Sequence, residues 1–206
     1  MKLQNIILIL ILAYSLTGCS PIILKMYGMN NIAAISNDEI AEVAEKYNVP
    51  LADNYKLDTA YVSYLYTFDT LKYSLQIKNH LQPSQALYYD QNGNLSSFQI
   101  NCYAGGFPNL KWDRNEIMTT FPPKEQAPID SILPLDKHLE FVQNLPQSEK
   151  ISLDRYDYIV LVHWNKFMGR QSKNLIKTVQ ENAELKGKHK VKIIYVNTDE
   201  VFALFE

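Results

Sequence analysis

The sequence predicts an α/β fold in which a mixed central sheet is flanked by helices. Two stretches predict this class. Residues 86–102 have the pattern of a β-hairpin, and residues 156–196 have that of a strand, a helix and a second strand. Strands joined by a helical crossover pair in parallel, whereas hairpin strands pair antiparallel, so the sheet is expected to be mixed. Residues 36–206 are expected to form one domain around it.

The N-terminal part of this domain is predicted to be helical. Ser36 and Glu39 have the spacing of a capping box, and apolar residues follow at helical intervals until Pro50. A second helical region is predicted over residues 57–77, where the apolar positions fit a helical stripe better than a strand. We interpret residues 50–82 as a helical insertion.

The hairpin is the clearest local prediction. Asn92-Gly93 supplies the positive φ angles of a tight turn, and apolar strands flank it. Cys102 ends the second strand in this reading and is expected to be a buried structural residue. Residues 103–134 contain many prolines and little periodicity, which predicts a long irregular loop, and residues 135–145 are predicted to form a helix.

The C-terminal part contains the predicted parallel pair. The run Ile159 to Val162 is continuously aliphatic, which is typical of a central strand buried on both faces. A helix is predicted over residues 171–185, ending before Gly187, and a strand over residues 191–196.

The N-terminus has the features of a secretory signal. A short apolar run, too short to span a bilayer, precedes Leu16-Thr17-Gly18-Cys19. This pattern resembles the lipobox of bacterial lipoproteins, and the alternative is an ordinary signal peptide with a chance cysteine. The resemblance implies a signal peptide at residues 1–18 and a lipidated tether at residues 19–35. It also implies that Cys19 carries diacylglycerol on its sulfur and an acyl chain such as palmitate on its amine.

The lipobox resemblance also implies a location. Position 20 is Ser rather than Asp, which by the sorting rule of diderm lipoproteins favours the cell outer membrane. The residues that follow are mostly apolar, so we expect the domain to face the periplasm. The membrane lipid reached through Cys19 is therefore the first expected partner.

Residues 165–171, called the motif loop below, follow the first strand of the parallel pair. Trp164, Phe167 and Gly169 match the active-site segment of the thioredoxin-like family, which this stretch resembles. Met168 and Gln171 stand where that family has its two redox cysteines. Dithiol exchange needs an attacking thiolate and a resolving thiol, so the family's catalytic residues are missing here.

Two other stretches resemble the same family but stand in another order. Residues 38–49 resemble one of its helices, and Pro83 with the hairpin after it resembles its cis-proline strand. Both precede the motif loop in this chain, whereas they follow it in the family. The resemblance therefore implies a thioredoxin-like sandwich in permuted order, with the hairpin in the sheet of residues 156–196. The alternative is an unrelated α/β sandwich with convergent local patterns.

Composition excludes several classes of function. The formal charge of −2 shows no bias towards nucleic acid, and the four histidines lack metal-type spacing. We expect surface or capping roles for them, except that His163 is expected to be a hydrogen-bonded core residue. Acidic residues beside strands, such as Asp199, are expected to solvate turns. Once Cys19 is lipidated, Cys102 alone cannot form an intrachain disulfide.

The sequence therefore favours a lipid-anchored, non-catalytic binding or accessory protein of the cell envelope, with no cofactor and no metal. Its second expected partner is an unknown envelope protein or peptide. The residues expected to hold that partner are Trp164, Phe167, Met168, Gly169, Gln171 and Pro83. One alternative is a thiol-dependent oxidoreductase or peroxidase-like enzyme acting through Cys102. Another is an envelope immunity lipoprotein that protects the cell against a toxin.

Overall fold

The computed structural model describes residue 25 and residues 28–106, 108–130 and 132–206. The expected signal peptide, Cys19 and the first part of the expected tether at residues 19–35, called the tether below, lie outside the described residues. Within the described ranges, no helix has the length and apolar character that a membrane span requires.

The described residues form short helices and strands around one sheet. The helices are α1 (Asn37–Lys46), α2 (Ala60–Leu65), α3 (Ser74–His80), α4 (Asn101–Ala104), α5 (Leu135–Leu139), α6 (Arg170–Glu184) and α7 (Asp199–Phe202). The strands are β1 (Asn54–Leu57), β2 (Gln85–Asp90), β3 (Leu95–Ile100), β4 (Val142–Asn144), β5 (Tyr158–Trp164) and β6 (Val191–Asn197).

The sheet is mixed, as the sequence predicts. Its strand order is β3-β2-β5-β6-β1-β4. Strands β5, β6 and β1 run parallel, whereas β2 pairs antiparallel with both β3 and β5, and β4 pairs antiparallel with β1. The α/β class with a mixed sheet flanked by helices is therefore confirmed, and the hairpin lies in the same sheet as the parallel pair.

Each face of the sheet is covered by its own apolar cluster. On one face, α1 and α6 pack over the β5 side chains Val160 and Val162. On the other face, side chains from α2, α3, α5 and α7 pack over Ile159 and Leu161. Because both faces are covered, β5 is buried along nearly its whole length, which explains its uninterrupted aliphatic sequence.

Local signals form the predicted turns and caps. The hydroxyl of Ser36 accepts a hydrogen bond from the Glu39 amide at 3.2 Å, so α1 begins where the capping box predicts. The Glu39 carboxylate does not complete the box and instead pairs with Lys166 of the motif loop. In the hairpin turn, Gly93 has a φ of 76°, as the Asn-Gly signal requires.

The continuous helix expected over residues 57–77 is wrong. The structure has a strand, β1, ending at Leu57, and then two helices that are interrupted over residues 66–73. The helix expected over residues 135–145 likewise ends at Leu139 and is followed by β4. The strand character at the start of the first region and the end of the second has one cause, because β1 and β4 pair with each other, as at Tyr55 and Asn144. Strands this short carry no reliable period of their own.

Candidate functional site

The motif loop is anchored at Trp164, the last residue of β5. Its side chain is fully buried, and its indole Nε1 donates a hydrogen bond to Asn54 Oδ1 at 3.2 Å. The ring of Tyr47 meets the indole edge-on, with the ring centroids 5.8 Å apart. The indole therefore fills the core and has its one donor satisfied, as a buried tryptophan requires.

Asn165 links the loop to two other segments. Its Nδ2 donates to the carbonyl oxygen of Pro83 at 2.7 Å and to the hydroxyl of Thr198 at 3.2 Å. Its Oδ1 accepts from the Met168 amide at 2.8 Å. One buried side chain thus joins the ends of β5 and β6 to the segment that leads into the hairpin.

Asp199 holds the backbone of the same loop. Its carboxylate accepts hydrogen bonds from the amides of Lys166 and Phe167 at 2.8 and 3.4 Å, and from Asn197 Nδ2 at 2.8 Å. Burial raises the pKa of the Asp199 carboxyl above its ordinary value, although these donors lower it. The expectation that Asp199 solvates a turn is wrong, because its side chain is buried against the loop.

Met168 and Gln171 stand where the resembled family has its two redox cysteines, and both are buried. The Oε1 atom of Gln171 accepts a hydrogen bond from the Leu110 amide at 3.0 Å. This contact fastens the long irregular loop, residues 103–134, onto the start of α6. The side chain of Gln171 therefore holds the backbone of Leu110, whereas the resembled family has a redox cysteine at this position.

The tether covers the motif loop from outside. The carbonyl oxygen of Gly28 accepts from the Arg170 amide at 3.2 Å, and the Asn30 amide donates to the carbonyl oxygen of Phe167 at 2.7 Å. The backbone contact is so close at Gly169 that a Cβ atom there would lie 1.7 Å from the Gly28 oxygen. Only glycine fits at this position.

The structure therefore brings the expected loop residues together, but their side chains are buried in the core and not exposed to a partner. Phe167 and Gly169 are buried like their neighbours, and Pro83 lies against Asn165. Exposed residues around the loop include Asn30, Asn109 and Arg170, called the loop rim below. Arg170 Nη2 donates to Asn109 Oδ1 at 2.9 Å, which joins these two members of the rim. Partner binding by this region stays a prediction.

One expected detail at Pro83 is wrong. Its position before the hairpin resembles a cis-proline strand, but the cis peptide bond of the described residues is Phe121–Pro122.

Cys102 also differs from expectation. It lies in α4 rather than in a strand, and it is exposed rather than buried. Its Sγ–H donates to Gln82 Oε1 at 2.8 Å. Strand β3 ends at Ile100, and its outer edge accepts hydrogen bonds from the amides of residues 126 and 127 at the Phe98 carbonyl oxygen. The chain then turns away from the sheet, which the local sequence does not indicate.

Three of the histidines form a buried cluster that the sequence analysis missed. His138 Nε2 lies 3.1 Å from His163 Nε2, and its Nδ1 lies 3.2 Å from the hydroxyl of Tyr89. The ring of Tyr61 stacks on His138 with the centroids 5.3 Å apart. His80 lies beside them and its Nε2 is 3.2 Å from Asp130 Oδ1. The expectation for His163 is confirmed, whereas His80 and His138 are not surface residues.

This histidine cluster is a proton-sensitive part of the core. The contact between His138 and His163 needs one nitrogen to donate and the other to accept, so the accepting ring is neutral, and burial disfavours a charge on either ring. Burial lowers the pKa of His163 to about 3, and the charge of a protonated His80 would lower it further. Burial also lowers the pKa of His138 well below its ordinary value. Within the described residues, no group of three or more His, Cys, Asp or Glu side chains could hold a metal ion.

Comparison with known proteins finds no matching family model, no similar curated protein and no similar solved structure.

The energetic importance of the contact between the tether and the motif loop can be tested by replacing two glycines with alanine. We expect Gly169→Ala to lower the free energy of unfolding by about 3 kcal/mol, because positive-φ strain adds to a backbone clash. Gly187→Ala is the matched control, since Gly187 also has a positive φ. Apart from its chain neighbours, no described residue lies within 4 Å of the Cβ atom that this change adds. It should cost about 1 kcal/mol. Equal losses in urea denaturation would contradict the close contact.

The histidine cluster predicts an acid-sensitive fold. An unfolded histidine binds a proton near pH 6.5, whereas buried His163 does so only near pH 3. Stability is therefore fully present above about pH 6.5 and is lost below it, by about 1.4 kcal/mol per pH unit for each such histidine. Urea denaturation between pH 7 and pH 5 measures this slope, in a range above the ordinary titration of carboxylates.

Two variants assign that slope. The double variant His138→Gln and His163→Gln keeps polar groups but cannot take up a proton, so its stability should be nearly independent of pH in this range. His189→Gln changes an exposed histidine and should leave the wild-type slope unchanged. A wild-type profile that is flat from pH 7 to pH 5 would be incompatible with two neutral buried rings.

Proposed function

We propose that the protein is a membrane-anchored, non-catalytic lipoprotein of the cell envelope that acts as a protein-binding or accessory module. One observation carries the proposal. The motif positions of Met168 and Gln171 are buried, and Gln171 holds the backbone of Leu110. Residues 28–30 lie over the same loop.

The chemistry of these two side chains supports a non-catalytic role. A thioether has no proton to lose and cannot form a mixed disulfide, and a carboxamide is not a nucleophile under cellular conditions. Where an enzyme would need an accessible, activated thiolate, this chain has a side chain that binds the segment around Leu110. Binding without a reacting group suits a module that holds a partner.

The proposal includes a thioredoxin-like fold in permuted order. Its support is the arrangement around β5. The hairpin of β2 and β3 precedes β5 in the chain but lies directly beside it in the sheet. Pro83, at the entrance to that hairpin, touches the motif loop through Asn165. The parallel partner β6 follows on the other side, after the helix that starts at the loop.

The anchor fits the position of the tether. Residues 28–30 join the domain at the motif loop, so a lipidated Cys19 would hold this edge of the sheet close to the membrane. The loop rim, Asn30, Asn109 and Arg170, is the exposed surface there. We infer that the partner, an envelope protein or peptide, binds at the loop rim rather than at the buried aromatic side chains.

A thiol-dependent enzyme remains the second candidate, and the exposure of Cys102 favours it. The hydrogen bond of Cys102 to Gln82 argues against this candidate. Gln82 Oε1 accepts the thiol proton, so the contact stabilises the thiol and not the reactive thiolate. A single thiol would also need a second thiol from another molecule to complete an exchange cycle.

Lipidation predicts a labelling result. Cells expressing the chain and fed labelled palmitate should incorporate the label into the wild-type protein, whereas Cys19→Ser should remove it. Cys102→Ser is the matched control and should keep the label, because Cys102 lies outside the lipobox. Labelled protein should sediment with the outer membrane. Equal labelling of wild type and Cys19→Ser would exclude the proposed anchor.

The loop rim predicts a partner-binding result. Arg170→Glu reverses the charge at the exposed rim and should lower recovery of a crosslinked envelope partner about tenfold, as expected for an interface arginine. Lys177→Glu, which reverses the charge of an exposed lysine two turns along α6, should leave recovery unchanged. Both changes are exposed, whereas Trp164→Ala would open a cavity in the core.

The outcome also separates the classes of function. Equal recovery with both variants would remove the loop rim as the binding surface. Recovery of a toxin that acts on the envelope would identify the protein as a self-protection lipoprotein.

A further inference from the structure

An apolar patch lies on the segment between α2 and α3. It consists of Tyr66, Leu71 and Leu75, which are 54 %, 92 % and 46 % exposed. Leu71 is the most exposed large apolar side chain of the described residues. Single exposed apolar residues are ordinary, but three large ones within ten residues of the chain make this segment a candidate contact surface.

The patch is held on a defined turn. The carboxylate of Asp69 accepts hydrogen bonds from the amides of Leu71 and Lys72 at 2.9 and 3.0 Å. The ring of Phe68 packs edge-on against Tyr64 and Tyr73, with centroids 5.4 and 5.9 Å apart. The Asp69 hydrogen bonds and the Phe68 packing thus hold the turn in place, and Leu71 is exposed to solvent on it.

A groove continues from the patch along α3. Its volume is about 350 Å³, and its walls include Tyr66, Ile77 and Leu81 with more apolar than polar surface. Gln82 also lines it. The groove and the patch share Tyr66, and Thr70 and Ser74, which are sequence neighbours of Leu71 and Leu75, also line the groove.

The charges around the patch are mainly basic. Lys72 and Lys78 are exposed, and the Lys72 ammonium lies 4.7 Å from the ring centroid of Tyr73. The nearby acid, Asp69, is engaged by backbone amides. Tyrosine, leucine and lysine together suit the boundary between acyl chains and anionic headgroups, where apolar bodies insert and ammonium groups stay in the polar layer.

The length of the tether brings a membrane within reach. Cys19 and Gly28 are nine residues apart in the sequence, which spans at most about 30 Å when fully extended. Gly28 touches Arg170 at the motif loop. The groove ends at the same edge of the sheet, because Pro83, the residue after Gln82, accepts from Asn165 of that loop.

We propose that the patch of Tyr66, Leu71 and Leu75 rests in the membrane interface, with Lys72 and Lys78 at anionic headgroups, and so fixes the orientation of the anchored domain. The inference rests on the proposed anchor at Cys19. The anchor alone would leave the domain free to turn on its tether. With the patch inserted, the domain has two points of attachment and a partner meets the loop rim close to the membrane surface.

The test measures the depth of two exposed leucines in the lipidated full-length protein. In a Cys102→Ser background, an environment-sensitive fluorophore is attached to Leu71→Cys or, as matched control, to Leu185→Cys. Leu185 is 51 % exposed at the end of α6. Both proteins are reconstituted in vesicles of phosphatidylethanolamine and phosphatidylglycerol with brominated acyl chains, which quench only fluorophores at the depth of the bromine atoms.

We expect the label at position 71 to be quenched about threefold more than the label at position 185. Adding Leu75→Glu should remove most of that difference, because a carboxylate is expelled from the interface. This change is safe for the fold, since Leu75 is half exposed.

The outcomes separate the two proposals. Vesicle flotation with equal quenching at positions 71 and 185 would overturn the inference while the anchor stands. A difference that Leu75→Glu leaves intact would also overturn it, since the fluorophore alone would then account for the insertion. Failure of the wild-type chain to float with vesicles would overturn both the anchor and the inference.

Discussion

The structure depends on the hydrogen bonds of one buried amide. Asn165 Nδ2 donates to Pro83 and Thr198, and its Oδ1 accepts from the loop backbone at Met168. These partners come from three segments that are distant in the chain. Because the side chain is fully buried, each unmade bond would leave a polar group without compensation, at a cost of about 1–3 kcal/mol. The hairpin, the parallel pair and the motif loop are therefore positioned together.

The two faces of the sheet serve different purposes. The face beneath α1 and α6 supports the motif loop through Trp164 and Phe167. The opposite face contains the histidine cluster, in which His138 bridges His163 and Tyr89. A cluster of this kind makes a core specific, since its members satisfy one another only in one arrangement. It also makes the core sensitive to protons, because burial disfavours a charged ring at His138 or His163.

Local patterns explain why much of the fold could be predicted. The cap at Ser36, the turn at Gly93 and the aliphatic run of β5 each depend on neighbours within a few residues. The errors have the opposite origin. Strand β1 is held between β4 and β6, β4 pairs with β1, and Asp199 is buried where it meets amides 32 and 33 residues away. No local pattern contains that information. Pairing with distant strands therefore overrode the helical preference of these segments.

The sequence by itself determined that Met168 and Gln171 cannot take part in dithiol exchange wherever they lie, because the identity of a side chain sets its reactivity. It also determined the α/β class, because periodicity and turn residues act locally. Only the tertiary structure decided that three histidines share one core, that Cys102 faces solvent and that Gly28 lies over Gly169. The reason is physical. Burial and contact between distant residues depend on how the elements pack, and packing involves the whole chain at once.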